Sequence, residues 1–254
     1  MASIWFLLRK LLGGCWRTEV PVLSIVGGDG TLAETLTSVE VLRADGVAGF
    51  KLKVGIDDVR NDIETFKAIR SALGDDIFLA ADANMAWTIP TALRFARAAA
   101  ESGIAYLEQP ISVDNARMAM LARQSPAPIS ADEAIHGLND ITALAQLNAI
   151  AGLSLKTIKL GGLGAMIRAA TIADGLGLSV GLAMMMESGL ATRAMIHAAC
   201  AVPQLDWKLN LGCDFLADSP VSGDALRRGG VAPCPNGPGL GVDVDERRIA
   251  SFAP

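Results

Sequence analysis

Six ionisable residues, Lys53, Asp82, Glu108, Asp132, Lys159 and Glu187, follow one another at intervals of 24 to 29 residues. Three successive carboxylates with an amine before and after them form a set that could grip a hard divalent cation through oxygen and move a proton beside it. A second amine belongs to the same set. In "GFKLKVG" (49–55) Lys51 and Lys53 are two apart in a run that otherwise reads as a buried strand, so both point to one face while Leu52 points to the other.

A spacing this regular needs an element that repeats. Short apolar or β-branched runs occur at 20–27, 49–55, 77–82, 104–109, 127–132, 154–160, 178–184 and 204–209. Between them lie stretches with helical spacing of apolar residues, several ending in glycine. Strands alternating with helices pair in parallel, and eight such units of this size close an α/β barrel of the TIM type, as (β/α)8 or its (β/α)7β variant. An open doubly wound sheet is the alternative. In the barrel every named residue falls near the C-terminal end of its strand, the face on which such barrels carry their chemistry.

Alternation along the strands sharpens the set. Asp82 shares its inward face with Ala80 and Asn84, and Asp132 with Ser130, while Glu133 takes the other face. Read as a strand, "SLKTIKLGG" puts Lys159 and Thr157 on one face and leaves Lys156 free to point elsewhere. A lone acid at a strand end is often only a helix cap. Three in phase on consecutive strands would repel one another strongly without a cation, which points to a metal site of Asp82, Glu108 and Asp132. All-oxygen ligation suits a hard ion such as Mg²⁺.

The 254-residue chain is 51% hydrophobic and 19% charged, a globular composition with room for one large core. Its net charge of -5, from 22 basic and 27 acidic residues, offers no broad cationic surface for nucleic acid. No apolar run reaches the length of a membrane helix. The four cysteines lack the close pairing of a zinc site, so reduced thiols and a cytoplasmic location are expected. Residues 1–17 read as a short stub without the features of a secretory signal, and 18–254 as the barrel.

The ordered motifs "FKLKVG", "ADAN", "EQP", "SADE", "KTIKLGG" and "PGLGVDVDE" resemble the enolase superfamily, and within it the muconate lactonizing enzyme subgroup. The resemblance spans residues 18 to 254. It implies a mandelate racemase/muconate lactonizing enzyme type barrel that holds Mg²⁺ or Mn²⁺ on Asp82, Glu108 and Asp132, with Lys53 and Lys159 as acid and base. Such enzymes remove a proton beside a carboxylate and stabilise the enediolate. Lys51 would then serve the substrate carboxylate, and Asn84, Glu133, Glu187 and Trp207 would stand behind the ligands or against the substrate. The resemblance also implies an N-terminal capping domain, in whose place residues 1–17 read only as a short stub.

Opposed lysines permit racemisation or epimerisation, and one lysine suffices for cycloisomerisation. "LDWKLNLG" has Lys208 where dipeptide epimerases of the subgroup carry a second aspartate, which lowers that reading. Trp207 and Trp87 could stack on a cationic substrate such as a proline betaine. N-acylamino acid racemisation, a non-catalytic truncated barrel, and a Schiff-base aldolase using Lys159 are further alternatives. A small carboxylate is the expected partner, and the composition is compatible with a homo-oligomer.

Overall fold

The computed structural model describes residues 8–28, 30–216, 219, 221 and 226–251. In chain order the elements are α1 (Leu8–Leu11), β1 (Glu19–Gly27), α2 (Leu32–Ala44), β2 (Gly49–Lys53), α3 (Val59–Leu73), β3 (Phe78–Asp82), α4 (Ile89–Glu101), β4 (Leu107–Glu108) and α5 (Asn115–Gln124). They continue as β5 (Ile129–Ala131), α6 (Leu138–Gln146), β6 (Gly152–Leu155), α7 (Thr157–Leu160), α8 (Leu163–Gly175), β7 (Ser179–Leu182), α9 (Gly189–Ala201), β8 (Leu209–Asn210), β9 (Val231–Pro233) and α10 (Glu246–Ser251). Strands β1 to β8 form one parallel sheet in the order β7-β6-β5-β4-β3-β2-β1-β8, and β9 adds antiparallel to β1.

The seam between β7 and β8 is closed by irregular chain. The Asp206 and Trp207 N–H groups donate to the Val180 carbonyl at 3.0 and 3.1 Å, and the Val180 N–H donates to the Asp206 carboxylate at 2.8 Å. This is the TIM-type α/β barrel the alternation implied. Its last strand is followed by a 3₁₀ turn, Gly212–Phe215, where the earlier strands are followed by α-helices.

Helix ends follow from local chemistry. Thr31 and Glu34 exchange hydrogen bonds as a capping box at the start of α2, the Asp58 carboxylate accepts from the Arg60 N–H at the start of α3, and Gly74 ends α3 at φ 79°. The main core lies between the sheet and the helices, with Phe50, Phe66, Phe95 and Leu107 fully buried.

The lumen has a floor of its own, made by Tyr106 stacked on Trp207 at 4.0 Å with Ala80 beside them. The indole needs bare backbone around it. A Cβ on Gly152 would stand 2.4 Å from the Trp207 ring, and one on Gly181 would stand 3.2 Å from it.

The strands at 104–109, 127–132 and 178–184 shorten to Leu107–Glu108, Ile129–Ala131 and Ser179–Leu182, and two further runs change character. The run 154–160 leaves the sheet at Leu155, because Leu160 N–H turns back to the Lys156 carbonyl and Gly161 N–H to Thr157, making α7. The run 204–209 becomes the seam, and pairing begins only at Leu209. Residues 8–17 dock on the barrel: Trp16 N–H donates to the Cys200 carbonyl at 2.8 Å, and the Arg17 guanidinium donates to the Val202 and Pro203 carbonyls at 2.7 and 2.8 Å.

Candidate active site

Strand alternation sends Lys51 and Lys53 of β2 into the lumen together. Asp82 and Glu108 are the last residues of β3 and β4 and are register partners, and Asp132 follows directly on β5. Lys51 lies deeper, where its Nζ donates to Glu108 Oε1 at 3.0 Å and stands 3.7 Å from Asp82 Oδ2. The Lys53 Nζ donates to Asp82 Oδ2 at 2.7 Å and to Asn84 Oδ1 at 2.6 Å. Across the mouth, Asp132 accepts from Lys156 at 2.5 Å through Oδ2 and from Lys159 at 2.6 Å through Oδ1.

Electrostatics separate these groups. Burial pushes the Glu108 carboxyl up to about 7; Lys51 opposes that shift, while the neighbouring Asp82 and Asp132 charges add to it. Burial works against the charge on Lys51, yet Glu108, Tyr106 and Asp82 together hold its pKa well above the ordinary lysine value. Burial would also raise Asp132, but Lys156 and Lys159 hold it below the usual carboxylate range. Two carboxylates, Asp82 and Glu108, thus face the two ammonium groups of Lys51 and Lys53, whereas Asp132 alone meets two, so positive charge is in excess on its side.

Above the acids opens a cavity of ≈ 560 Å³. Lys53 and Asn84 line it on one side and Lys156 on the other, with Asn210 of β8 and the apolar Ile25, Ile56 and Met184 to Met186 completing its wall. Lys156, which the strand reading left free to point elsewhere, instead continues the inward phase of Ser154. Lys156 is the first residue beyond the strand and faces the cavity, whereas Lys159 sits on α7, touches Asp132 and lies outside the lining.

Other expected residues are placed differently as well. Lys51 is 3% exposed and held on Glu108, so it stands beneath the acids and not against a substrate. Glu187 lies five residues past β7, where its carboxylate accepts from the Met185 N–H at 3.0 Å. Trp207 belongs to the lumen floor and Trp87 packs against Phe95 at 5.0 Å, so neither presents a ring to the cavity mouth. Asn84 does bridge the two sides: it accepts from Lys53 and its amide donates to Glu133 Oε1 at 3.0 Å. His197 is fully buried in α9, with Nε2 on the Leu240 carbonyl.

Three supporting residues escaped sequence reasoning. Gln109 sits at φ 34° and is fully buried; its Oε1 accepts from the Asp132 and Ala134 N–H groups, both at 3.1 Å. Ser154 donates to Glu108 Oε2 at 2.7 Å, and Asn210 reaches the cavity from β8. Gln109 was within the quoted "EQP", and Ser154 shares the inward alternation of Lys156, so a strand ending at Leu155 would have revealed both Ser154 and Lys156.

Among the described residues no three His, Cys, Asp or Glu side chains are gathered closely enough to hold a metal ion. Each acid of the expected ligand set instead meets a lysine. The donor chemistry nonetheless fits a hard cation: three carboxylates project from neighbouring strands, and burial, with the Asp82 and Asp132 charges adding to it, drives Glu108 toward protonation, a penalty on its charged form that a divalent ion would offset. The lysines occupy the place of that positive charge.

The profile of the enolase C-terminal domain-like family matches residues 34–248. The chain belongs to that family. Among curated relatives, muconate cycloisomerase 1 of Pseudomonas putida is 33% identical over 97% of this chain and 66% of its own length. A chloromuconate cycloisomerase of Pseudomonas sp. (strain P51) is 28% identical over 96% of this chain and 67% of its own. The chain thus spans about two thirds of the length of the curated relatives it matches. Among solved structures, the muconate lactonizing enzyme from Pseudomonas putida superposes with a TM-score of 0.91 at 32% identity, covering 97% of this chain and 69% of that one. The Pseudomonas fluorescens enzyme complexed with muconolactone gives 0.90 at 35% identity, over 96% and 67%. The enolase-type barrel of this family is the fold described above.

Proposed function

We propose that this chain works as a divalent-metal-dependent isomerase of the cycloisomerase type, acting on a small carboxylate of the muconate class. The observation that carries this reading is the pair of lysines, Lys53 and Lys156, facing one cavity from opposite sides above three carboxylates. Asp82, Glu108 and Asp132 would hold Mg²⁺ or Mn²⁺, which supplies a Lewis acid for negative charge developing on the substrate carboxylate.

The chain's own residues do the rest. Ring closure of a muconate-type substrate to a lactone leaves electron density on the carbon beside the remaining carboxylate, and a lysine ammonium must deliver a proton there. Lys53 and Lys156 are the two candidates on the cavity wall. Asn84 fixes Lys53 from one side, and Lys51 holds Glu108 from below so that the acid cluster keeps its shape. Ile25 and Met184 give the cavity an apolar wall, and the exposed Ile56, Met185 and Met186 form its rim.

Racemisation or epimerisation is the second reading, favoured by the same pairing of amines, since one can remove a proton and the other return it. The aldolase alternative loses its support, because Lys159 is tied to Asp132 and lies outside the cavity. The test is conversion of muconate to muconolactone in Mn²⁺, followed as loss of the diene's ultraviolet absorbance. Lys53→Met or Lys156→Met should cut turnover by about 10²- to 10⁴-fold. Turnover unchanged in both variants would refute the assignment.

A further inference from the structure

Lys53 is aimed by more than its contact with Asp82. An ammonium has three N–H donors, and two of those on Lys53 are committed, to Asp82 Oδ2 at 2.7 Å and to Asn84 Oδ1 at 2.6 Å. Two fixed directions on a tetrahedral nitrogen fix the third, which is the one left for the cavity that Lys53 lines. Lys156 is held more loosely. Besides Asp132, its partner among the described residues is the Met185 thioether, a weak acceptor, at 3.6 Å.

Asn84 is in turn fixed at both its backbone and its side chain. It is left-handed at φ 41° and Met85 follows at φ 67°, an uncommon pair pinned by the Asn84 N–H on Asp82 Oδ1 at 3.0 Å and the Met85 N–H on the Gln109 carbonyl at 2.7 Å. The side-chain amide donates to Glu133 Oε1 at 3.0 Å. A carboxylate can only accept and an ammonium can only donate. The amide between them therefore satisfies both in one orientation, with its oxygen toward Lys53 and its nitrogen toward Glu133.

Glu133 itself lies outside the cavity lining. Its backbone is held on either side, because the Asp132 and Ala134 N–H groups both donate to Gln109 Oε1 at 3.1 Å. Its second oxygen, Oε2, is buried and has no hydrogen-bond partner among the described residues. A carboxylate oxygen kept dry and unpaired costs stability, and such groups persist where a site depends on them.

We propose that Glu133 is a positioning residue that acts on Lys53 through Asn84. The carboxylate anchors the amide, the amide fixes the ammonium, and the ammonium keeps one N–H aimed into the cavity where the substrate carbon takes or yields its proton. This rests on the reading of Lys53 as a proton carrier, and it gives Glu133 no contact with substrate or ion. Without the anchor the amide and then the ammonium can swing, which thins the population in reacting geometry while leaving the substrate's own contacts in place. The loss should fall on kcat and spare KM.

The experiment measures muconate turnover in Mn²⁺ for Glu133→Ala, Glu133→Gln, Asn84→Ala and the Asn84→Ala/Glu133→Ala double variant. Glu133→Ala should lower kcat about 10- to 10²-fold, with KM changed by no more than about twofold. Glu133→Gln keeps an acceptor oxygen at the same reach and should recover most of that loss, whereas a residue acting by its charge would suffer as much from glutamine as from alanine. In the Asn84→Ala background, Glu133→Ala should cost nothing further, since the two act as one unit.

A second readout needs no substrate. In ¹H–¹⁵N spectra the Asn84 side-chain amide should lose its hydrogen-bonded proton shift in Glu133→Ala and regain it in Glu133→Gln. Wild-type kcat in Glu133→Ala, equal losses in the alanine and glutamine variants, additive losses in the double variant, or an Asn84 amide indifferent to Glu133 would each overturn the proposal. Failure of the wild-type chain to turn over muconate would count against the proposed function instead, and the amide spectra would then decide for or against the anchor by themselves.

Discussion

Replacing Lys51 with methionine isolates the charge balance beneath the site. Glu108 is fully buried, and Lys51 at 3.0 Å is its cationic partner, with Ser154 giving the other hydrogen bond at 2.7 Å. Breaking a buried pair from one side costs about 3–5 kcal/mol, mostly because the remaining charge is stranded. The cost has a defined pH dependence. The Glu108 pKa is already raised in the folded state, from 4.5 to about 7, so its contribution to stability is fully present below 4.5 and is lost as pH rises through 7. Without Lys51 the folded value rises further, and the carboxyl escapes the penalty at pH 5 by keeping its proton.

The variant should therefore be close to wild type at pH 5 and lose about 3–5 kcal/mol at pH 8, which for a chain of this size is roughly 6–20 °C in Tm. Scanning calorimetry or urea unfolding in EDTA at the two pH values reads this directly. Adding Glu108→Gln to the Lys51→Met chain should restore most of the loss at pH 8. An equal loss at both pH values, or a double variant no more stable than the single one, would refute the reasoning.

Gly152→Ala should destabilise by about 1–3 kcal/mol or more in urea unfolding, because its Cβ would stand 2.4 Å from the Trp207 ring and 2.5 Å from the Ser179 carbonyl. Gln109→Leu strands the Asp132 and Ala134 N–H groups and should cost about 1–3 kcal/mol for each left without a partner, together with weaker Mn²⁺ binding by calorimetry. Mn²⁺ at a hundred times its dissociation constant should stabilise the chain by about 2.7 kcal/mol, an effect that Asp82→Asn removes.

The sequence's most legible features were those set by period two. Lys53, Asp82 and Glu108 fall at strand ends because alternation and an even beat of strand and helix place them there, and Asp132 follows one residue later. Lys156 was lost for a physical reason. In "SLKTIKL" the alternation breaks at Lys156–Thr157, where the backbone hydrogen bonds turn helical, ended by Gly161 at φ 86°. Lys156 keeps the inward phase of Ser154, and the early turn brings Lys159, of the opposite phase, to the side of Asp132.

Trp207 misled in a similar way. An aromatic near a strand end suggests a substrate platform, yet the glycines at 152 and 181 leave a space inside the lumen that the indole fills. Glycines set diagonally on adjacent strands, as Gly152 and Gly181 are, carry little sequence signal until the register is known. The pairing of Lys51 with Glu108 was equally hidden, since two inward lysines on one strand do not reveal which of them lies deeper.

The central claim is that Lys53 and Lys156, not Lys159, deliver and remove a proton beside a substrate carboxylate held over the three acids. Deuterium incorporation at the carbon next to the carboxylate of muconolactone, followed by NMR in D₂O with Mn²⁺, tests it most directly. Wild-type chain and Lys159→Met should both exchange that position, with Lys53→Met or Lys156→Met abolishing it. Exchange that survives Lys156→Met and vanishes in Lys159→Met would contradict the account.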